Sequence, residues 1–202
     1  MSRTIIESCA DTISSAVQTV RGLVDEFAIL ARFPQSQPHP ADLNRIILSA
    51  MSLFEGRLWG VNVQMALADD LPRVMADPEA IKRVIANLVD NAAESLKDSV
   101  VREIRISTTL LETRDAVEIE VSDTGEGVSA ETKEKLFLPY FSTKARGTGL
   151  GLAIVARILE DHGGTVRVEE NHPVGTRFLV ELPVAPVGEQ GPAESAETHE
   201  KA

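Results

Sequence analysis

Hydrophobic and polar residues alternate strictly along residues 117–123, and the odd positions are apolar as far as Val121. A period of two is typical of a half-buried strand, so the pattern directs the carboxylate of Asp123 towards the core. A buried carboxylate requires hydrogen-bond donors, and Gly125 and Gly127 follow where the backbone can turn or approach a ligand closely. We interpret this strand end as the floor of a pocket. A hairpin turn with a solvated aspartate is the alternative.

The same periodicities predict the other elements of a folded region. Alternation predicts strands near residues 61–65, 73–76, 104–110, 166–168 and 176–184. Thr176 shares the parity of the apolar residues in the last of these strands, so it should also point inwards. Helical spacing of apolar residues predicts helices over 43–54, 78–97 and 151–161. Asp77 and Pro78 are typical of a helix start, and Gly163 is typical of a helix end.

The first 33 residues carry a different pattern. Apolar residues recur seven apart from Ile6 and from Cys9 over four repeats, which predicts one long helix over 2–33. The apolar stripe is wide, as in helical bundles. Packing on its own domain is one alternative. Because the proline-rich segment 34–40 is typical of a linker, we instead expect an intermolecular bundle and a homodimer formed through residues 5–33.

A polar stripe borders the apolar face of the helix predicted over 78–97. It contains Asn87, Asn91, Glu94 and Asp98, which recur at helical spacing. Asparagine oxygens suit a hard cation such as Mg²⁺, and asparagine NH₂ groups suit phosphate oxygens. The stripe therefore indicates a binding site, with a solvated helix edge as the alternative.

Residues 129–149 show weak periodicity but contain aromatic residues together with Thr143 and Lys144. A segment of this length inside a compact domain is often a functional lid, although a disordered loop is the alternative. Glycines from Gly147 onwards precede the helix over 151–161, and exposed N–H groups at a helix start favour anions. Residues 147–152 match neither a Rossmann fingerprint nor a P-loop.

Composition narrows the classes of function. The net charge of −11 argues against a nucleic-acid partner, and the single cysteine, Cys9, fits a reducing, cytoplasmic setting. No apolar run is long enough to span a membrane, although a longer parent protein could be anchored in one. Residues 185–202 are acidic and rich in small residues, which predicts a disordered tail.

Five segments of the chain together resemble the motifs of sensor histidine kinases. Residues 87–95 resemble the N box, 123–128 the G1 box, 136–144 the F box, 147–152 the G2 box and 175–178 the last glycine motif. Residues 23–34 resemble the end of the second dimerisation helix in the nitrogen-regulation type. The resemblance implies an α+β, two-layer α/β sandwich of the histidine-kinase and gyrase-type ATPase fold over residues 42–184. It also implies a dimerisation helix over 1–33, a linker over 34–41 and a tail over 185–202.

The resemblance further implies an ATP site with Mg²⁺. Asp123 would accept a hydrogen bond from the adenine amino group with support from Thr176, and Asn91 would ligate Mg²⁺. The implied nucleotide-binding residues are Asn87, Asn91, Asp123, Gly125, Gly127, Val128, Thr143, Lys144, Gly147, Thr148, Gly149, Leu150, Gly151 and Thr176.

The implied reaction is phosphoryl transfer to a protein. ATPases of the group place a glutamate at the position of Asn87, and an amide cannot act as that base. None of the four histidines lies on a helical stripe beside an acid, so we expect the acceptor histidine, on a first dimerisation helix, to come from another helix or chain. A response regulator is the implied partner. A non-catalytic ATP-dependent switch and a serine-directed kinase are the alternatives.

Overall fold

The computed structural model describes residue 17, residues 36–142 and residues 148–186. Of the helix predicted over 2–33, only Val17 is described, and it is helical. The rest of that helix and residues 187–202 of the predicted tail lie outside the described residues, so the bundle and the homodimer stay predictions. Thr143, Lys144 and Gly147 lie outside them as well.

The described residues form seven strands and four α-helices, whose bounds follow in chain order. They are β1 His39–Ala41, α1 Leu43–Met51, β2 Asn62–Ala66, β3 Val74–Ala76, α2 Pro78–Ser95, β4 Glu103–Leu111, β5 Ala116–Asp123, α3 Ala130–Lys133, α4 Gly151–Asp161, β6 Thr165–Glu170 and β7 Thr176–Pro183. Short 3₁₀ turns extend α1 through Ser52–Phe54 and follow β4 at Glu112–Arg114.

Five strands form one mixed sheet in the order β2-β4-β5-β7-β6. The β2 and β4 strands run parallel, and the other neighbours are antiparallel. The strands β1 and β3 pair separately, and a bridge from Val74 to Val184 connects this pair to the end of β7. The sheet is therefore mixed and mainly antiparallel.

The helices α1, α2 and α4 pack on the face of the sheet that carries the odd-numbered residues of β5. The apolar stripe predicted for α2 is completely buried, from Ile81 to Leu96, and joins Ile119 and Val180 in one core. Burial of a large apolar side chain contributes roughly 1.5–3 kcal/mol, so this shared core is the main source of stability. The predicted two-layer α/β sandwich is confirmed.

Ion pairs cover part of the opposite face of the sheet. Arg167 on β6 contacts Glu118 on β5 and Glu181 on β7, and Arg177 contacts Glu120 and Glu169. Burial alone would lower the pKa of the Arg167 guanidinium, but its bond to Glu181 and the neighbouring carboxylates raise it. These pairs bridge β5, β7 and β6, and they explain why Glu118 and Glu120 on β5 are charged although they are only partly exposed.

The structure corrects several boundaries. His39–Ala41, at the end of the predicted linker, forms β1 against β3; a strand of three residues is too short to show alternation, and Pro40 is tolerated because the strand lies at an edge. The helix predicted over 43–54 ends at Met51 and continues as a 3₁₀ turn, in which Leu53 is exposed. The helix predicted to residue 97 ends at Ser95.

Candidate functional site

Asp123 is the last residue of β5, and only 3% of its surface is exposed. Its Oδ1 atom accepts hydrogen bonds from the backbone N–H of Gly125 at 2.8 Å and of Thr176 at 3.3 Å. Donors of this kind offset the free energy lost when a carboxylate is buried. The inward position predicted for Asp123 is therefore correct, and the alternative of a solvated turn is wrong.

Three glycines let the backbone close around this carboxylate. A Cβ atom on Gly125 would lie 2.8 Å from Asp123 Oδ1 and 2.7 Å from the Cβ of Ser95, which is closer than real Cβ contacts allow. Gly175 has φ +121° and packs directly against the Asp123 carbonyl, and Gly127, with φ +77°, faces the Gly175 carbonyl. Larger residues at these positions would push the turn away from Asp123.

Two further residues hold the same strand end. Thr176, at the start of β7, is 3% exposed and points inwards as predicted. Asn171 donates from Nδ2 to the Asp123 carbonyl at 2.8 Å. Asn171 was missed in the sequence because it lies in a loop, where no periodicity marks which side chain turns back to a strand.

A cavity of about 210 Å³ opens beside Asp123. It is bounded by α2, by the turn after β5, by the start of β7 and by Leu152 on α4. Its lining residues are Asn91, Ser95, Asp123, Glu126, Gly127, Val128, Ser129, Thr132, Leu136, Leu152, Thr176 and Phe178. The structure thus brings together, from three separate parts of the chain, five of the residues that the resemblance implies for nucleotide binding: Asn91, Asp123, Gly127, Val128 and Thr176.

The apolar walls of this cavity were not predicted as site residues. Phe178 has the same parity as Thr176, so the inward face of β7 could have indicated it. Leu152 follows Gly151 in the first turn of α4, but its direction depends on how the helix packs. Ser95 lies four residues, about one helical turn, after Asn91, and the spacing of the polar stripe could have included it.

A second group of predicted residues meets where α4 begins. The Asn87 side chain donates to the Arg83 carbonyl at 2.9 Å, and its Oδ1 lies 2.7 Å from the point where a Cβ on Gly151 would be. The Leu150 side chain is buried, and its N–H donates to Thr148 Oγ1 at 3.3 Å. Asn87 on α2 and the glycine-rich start of α4 are therefore neighbours.

Gly149 also belongs to this group. It has φ +70°, and its Cα lies against the backbone of Tyr140 and Phe141. Tyr140 itself has φ +64° and is 65% exposed. Phe137, in contrast, packs partly buried against the core. Of these two aromatic side chains, Phe137 thus packs against the core and Tyr140 is exposed.

The described part of the predicted lid is more regular than expected. Ser129 caps the short helix α3 by accepting the Thr132 N–H, and Lys133 pairs with Glu170 of β6 at 2.8 Å. The hydrogen bond from Lys133 lowers the pKa of the Glu170 carboxyl. Whether residues 129–149 act as a lid stays a prediction.

The described residues contain no group of three or more His, Cys, Asp and Glu side chains that could hold a metal ion. The helices within the described ranges also include none that is long and apolar enough to cross a membrane.

Residues 76–186 match the family model of histidine kinase-, DNA gyrase B- and HSP90-like ATPases. The match covers every described element of the cavity and more than half of the chain. The chain belongs to this family. It carries the ATP-binding catalytic domain of the sensor histidine kinase type.

Named relatives agree with this assignment. Sensor histidine kinase ZraS of Escherichia coli O157:H7 is 34% identical over 177 residues, which are 87% of this chain and 38% of ZraS. Nitrogen regulation protein NtrY of Azorhizobium caulinodans is 29% identical over 202 residues, which are 97% of this chain and 26% of NtrY. The chain thus spans well under half the length of these relatives.

One histidine kinase of known structure, ThkA, is similar in both sequence and fold. Its catalytic domain superimposes with a TM-score of 0.65 at 35% identity, over 73% of this chain and 95% of that domain. A crystal structure of ThkA in complex with the response regulator protein TrrA gives a TM-score of 0.65 at 26% identity, over 88% of this chain and 49% of ThkA. The predicted histidine-kinase and gyrase-type fold is confirmed.

Proposed function

We propose that this chain binds ATP with Mg²⁺ and transfers the γ-phosphoryl group to a histidine on a separate helix or chain. The observation that carries the proposal is Asp123, a buried carboxylate that lines a cavity and is held by two backbone donors. The family assignment supports ATP as the nucleotide.

The purine end of the site depends on the donor and acceptor chemistry of Asp123. A carboxylate has about four lone-pair positions, so it can accept further hydrogen bonds beside those from Gly125 and Thr176. The exocyclic amino group of adenine is a donor and matches this requirement. The Thr176 hydroxyl would support the contact through water, and Gly127 and Val128 would close over the base.

The cation would be held on α2. Asn91 lines the cavity, and Asn87 lies one helical turn earlier on the same side. Mg²⁺ is usually bound by a few protein oxygens together with substrate phosphates, so the Asn91 amide oxygen is a fitting ligand. When bound, Mg²⁺ would neutralise charge on the phosphates during transfer.

The phosphate end would be formed by the start of α4. Gly151, the first residue of α4, lies beside Asn87, and the positive end of the helix dipole favours anions. The N–H groups of residues 148–151 would contact the phosphates. Thr143, Lys144 and Gly147 complete the set that the family resemblance implies, and their roles stay predictions.

The acceptor histidine is proposed to come from elsewhere. Among the described residues, His39 lies in β1, His162 is buried at the end of α4 and His172 lies in a loop. None of these three presents a ring on an exposed helical face. We propose a response regulator as the further partner, because ThkA forms a complex with one, and a homodimer through residues 5–33.

Calorimetry with the non-hydrolysable nucleotide AMPPNP, with and without Mg²⁺, tests the site. We expect Asp123→Asn to weaken binding about ten- to a hundredfold, because a charge-assisted hydrogen bond is lost and an NH₂ group faces the adenine donor. Asp115→Asn, at the other end of β5, is the matched control and should bind like the wild type. Equal affinities in all three proteins would reject the assignment of Asp123.

Phosphoryl transfer needs a separate experiment. The chain is incubated with γ-labelled ATP, alone and with a dimerisation helix that carries the acceptor histidine. We expect label only on the added helix, and only with Mg²⁺. Tight nucleotide binding without any transfer would instead favour the non-catalytic switch.

A further inference from the structure

The cavity of about 210 Å³ beside Asp123 is called the purine cavity below, after its proposed ligand. A second cavity of about 410 Å³ lies next to it. It is formed by the end of α2, by residues 98–101, by residues 124–126 and by Val174. Ser95 and Glu126 line both cavities. Glu126 is exposed, whereas Ser95 is partly buried and donates from Oγ to the Ala92 carbonyl at 2.8 Å. Ser95 is therefore the ordered part of the wall between the two cavities.

The Ser95 side chain lies close to the carboxylate of Asp123. Both groups approach the same point above the Cα of Gly125: Asp123 Oδ1 at 2.8 Å, and Ser95 with its Cβ at 2.7 Å and its Oγ closer still. An amino group bonded to Asp123 would therefore have Ser95 as its neighbour. A substituent on that amino group would have to pass this wall to leave the purine cavity.

Hydrogen bonds hold together the segments that form the second cavity. Thr124 donates from Oγ1 to the Val101 carbonyl at 2.7 Å and accepts the Glu103 N–H at 3.0 Å. These bonds fix the segment after α2 against the turn after β5. Asp98 and Glu126 place carboxylates at the second cavity, and the Glu94 carboxylate, which also lines it, pairs with Lys97. The remaining negative charge favours a cation there.

We propose that Ser95 is a specificity-determining residue, which restricts the site to purines whose exocyclic amino group is unsubstituted. Without its side chain, the two cavities would join and accept an adenine nucleotide that carries a flexible, cationic substituent on this amino group. One remaining N–H would still donate to Asp123. This inference rests on the proposed function, because it requires the adenine amino group to lie at Asp123.

The experiment compares ATP with N6-(6-aminohexyl)-ATP by calorimetry in the presence of Mg²⁺. In the wild type, we expect the substituted nucleotide to bind at least about tenfold more weakly than ATP, because the wall would be overpacked. In Ser95→Gly, we expect the two affinities to come within about threefold. Ser95→Ala removes only the hydroxyl and should give an intermediate ratio, and it also tests the inference if the glycine variant does not fold.

Ser99→Gly is the matched control, because Ser99 lines only the second cavity; it should keep the wild-type ratio. Acetylation of the terminal amine should weaken binding to Ser95→Gly about two- to fivefold, since exposed ion pairs contribute little. An unchanged ratio in both Ser95 variants, or equal binding of both nucleotides by the wild type, would overturn the inference. Absence of ATP binding by the wild type would instead contradict the proposed function.

Discussion

The helices α2 and α4 both supply residues to the site, yet they begin in different ways. At the start of α2, the Asp77 side chain accepts the N–H groups of Glu79 at 3.1 Å and Ala80 at 3.3 Å, and Pro78 occupies the first turn. At the start of α4, the capping residue Leu150 has no side chain that can accept a hydrogen bond, and its own N–H donates to Thr148 Oγ1 at 3.3 Å. One helix start is thus capped by a side chain, whereas the other has no capping side chain.

The difference follows from where each helix begins. The start of α2 lies far from the cavity and packs on the end of α4, where the buried His162 accepts the Asp77 N–H through Nε2 at 2.9 Å. The start of α4 faces Asn87 in the middle of α2. A capping side chain there would occupy the N–H groups that the proposed phosphate contact requires. The presence of a cap therefore distinguishes the start of α2 from the start of α4, where we propose the phosphate contact.

Among variants at the two helix starts, Gly149→Ala should have the largest effect on nucleotide affinity. A Cβ at this position would lie 2.5 Å from the carbonyl carbon of Tyr140 and 2.8 Å from Phe141 N, so the residues before α4 would have to move. Gly163→Ala, after the same helix, is the matched control, because its φ of +64° is similar but nothing lies within 4 Å. Both variants should lose about 1–2 kcal/mol in the free energy of unfolding through backbone strain.

Only Gly149→Ala should also weaken AMPPNP binding, by at least about tenfold, because the displaced backbone carries the proposed phosphate donors. Urea unfolding and calorimetry measure the two quantities separately. If Gly163→Ala reduced nucleotide affinity as strongly as Gly149→Ala, the start of α4 would have no special role.

A smaller effect is expected from Gly151→Ala, at the first residue of α4. The added methyl group would meet Asn87 Oδ1 at 2.7 Å, and this flexible side chain would turn away. Alanine also favours a helix over glycine by up to about 1 kcal/mol. The free energy of unfolding should therefore be unchanged or higher, while Mg²⁺-dependent affinity falls about threefold. A fall in stability without any change in affinity would contradict the proposed contact.

The sequence predicted the elements of the site better than its walls. Periodicity alone located β5 and α2, because their apolar faces are long and uninterrupted, and it placed Asp123 and Thr176 on the buried side. It could not show that Leu152 lines the cavity, because this depends on how α4 packs across the sheet. The strand β1 was missed for a related reason, since three residues with one proline show no period.

The smallest expected effect comes from removing the side-chain cap of α2. Asp77→Ala should lower the free energy of unfolding by about 1 kcal/mol near neutral pH, the usual cost of losing an N-cap, and leave AMPPNP affinity unchanged. Asp69→Ala, in an exposed loop, is the control and should be within about 0.5 kcal/mol of the wild type. A loss of nucleotide affinity in Asp77→Ala would show that the two helix starts are coupled.

The contribution of the Asp77 cap to the free energy of unfolding should depend on pH. Burial alone would raise the pKa of the Asp77 carboxyl, but the N–H groups of Gln37, Ala80 and Glu79 outweigh burial and lower it. Because the folded pKa lies below the unfolded value of about 3.9, the cap stabilises the fold fully above that value. Its contribution is lost as the pH falls through the folded pKa. In urea unfolding, the wild type and Asp77→Ala should therefore differ at pH 7 and converge below about pH 4; a constant difference would show that the charge of Asp77 does not matter.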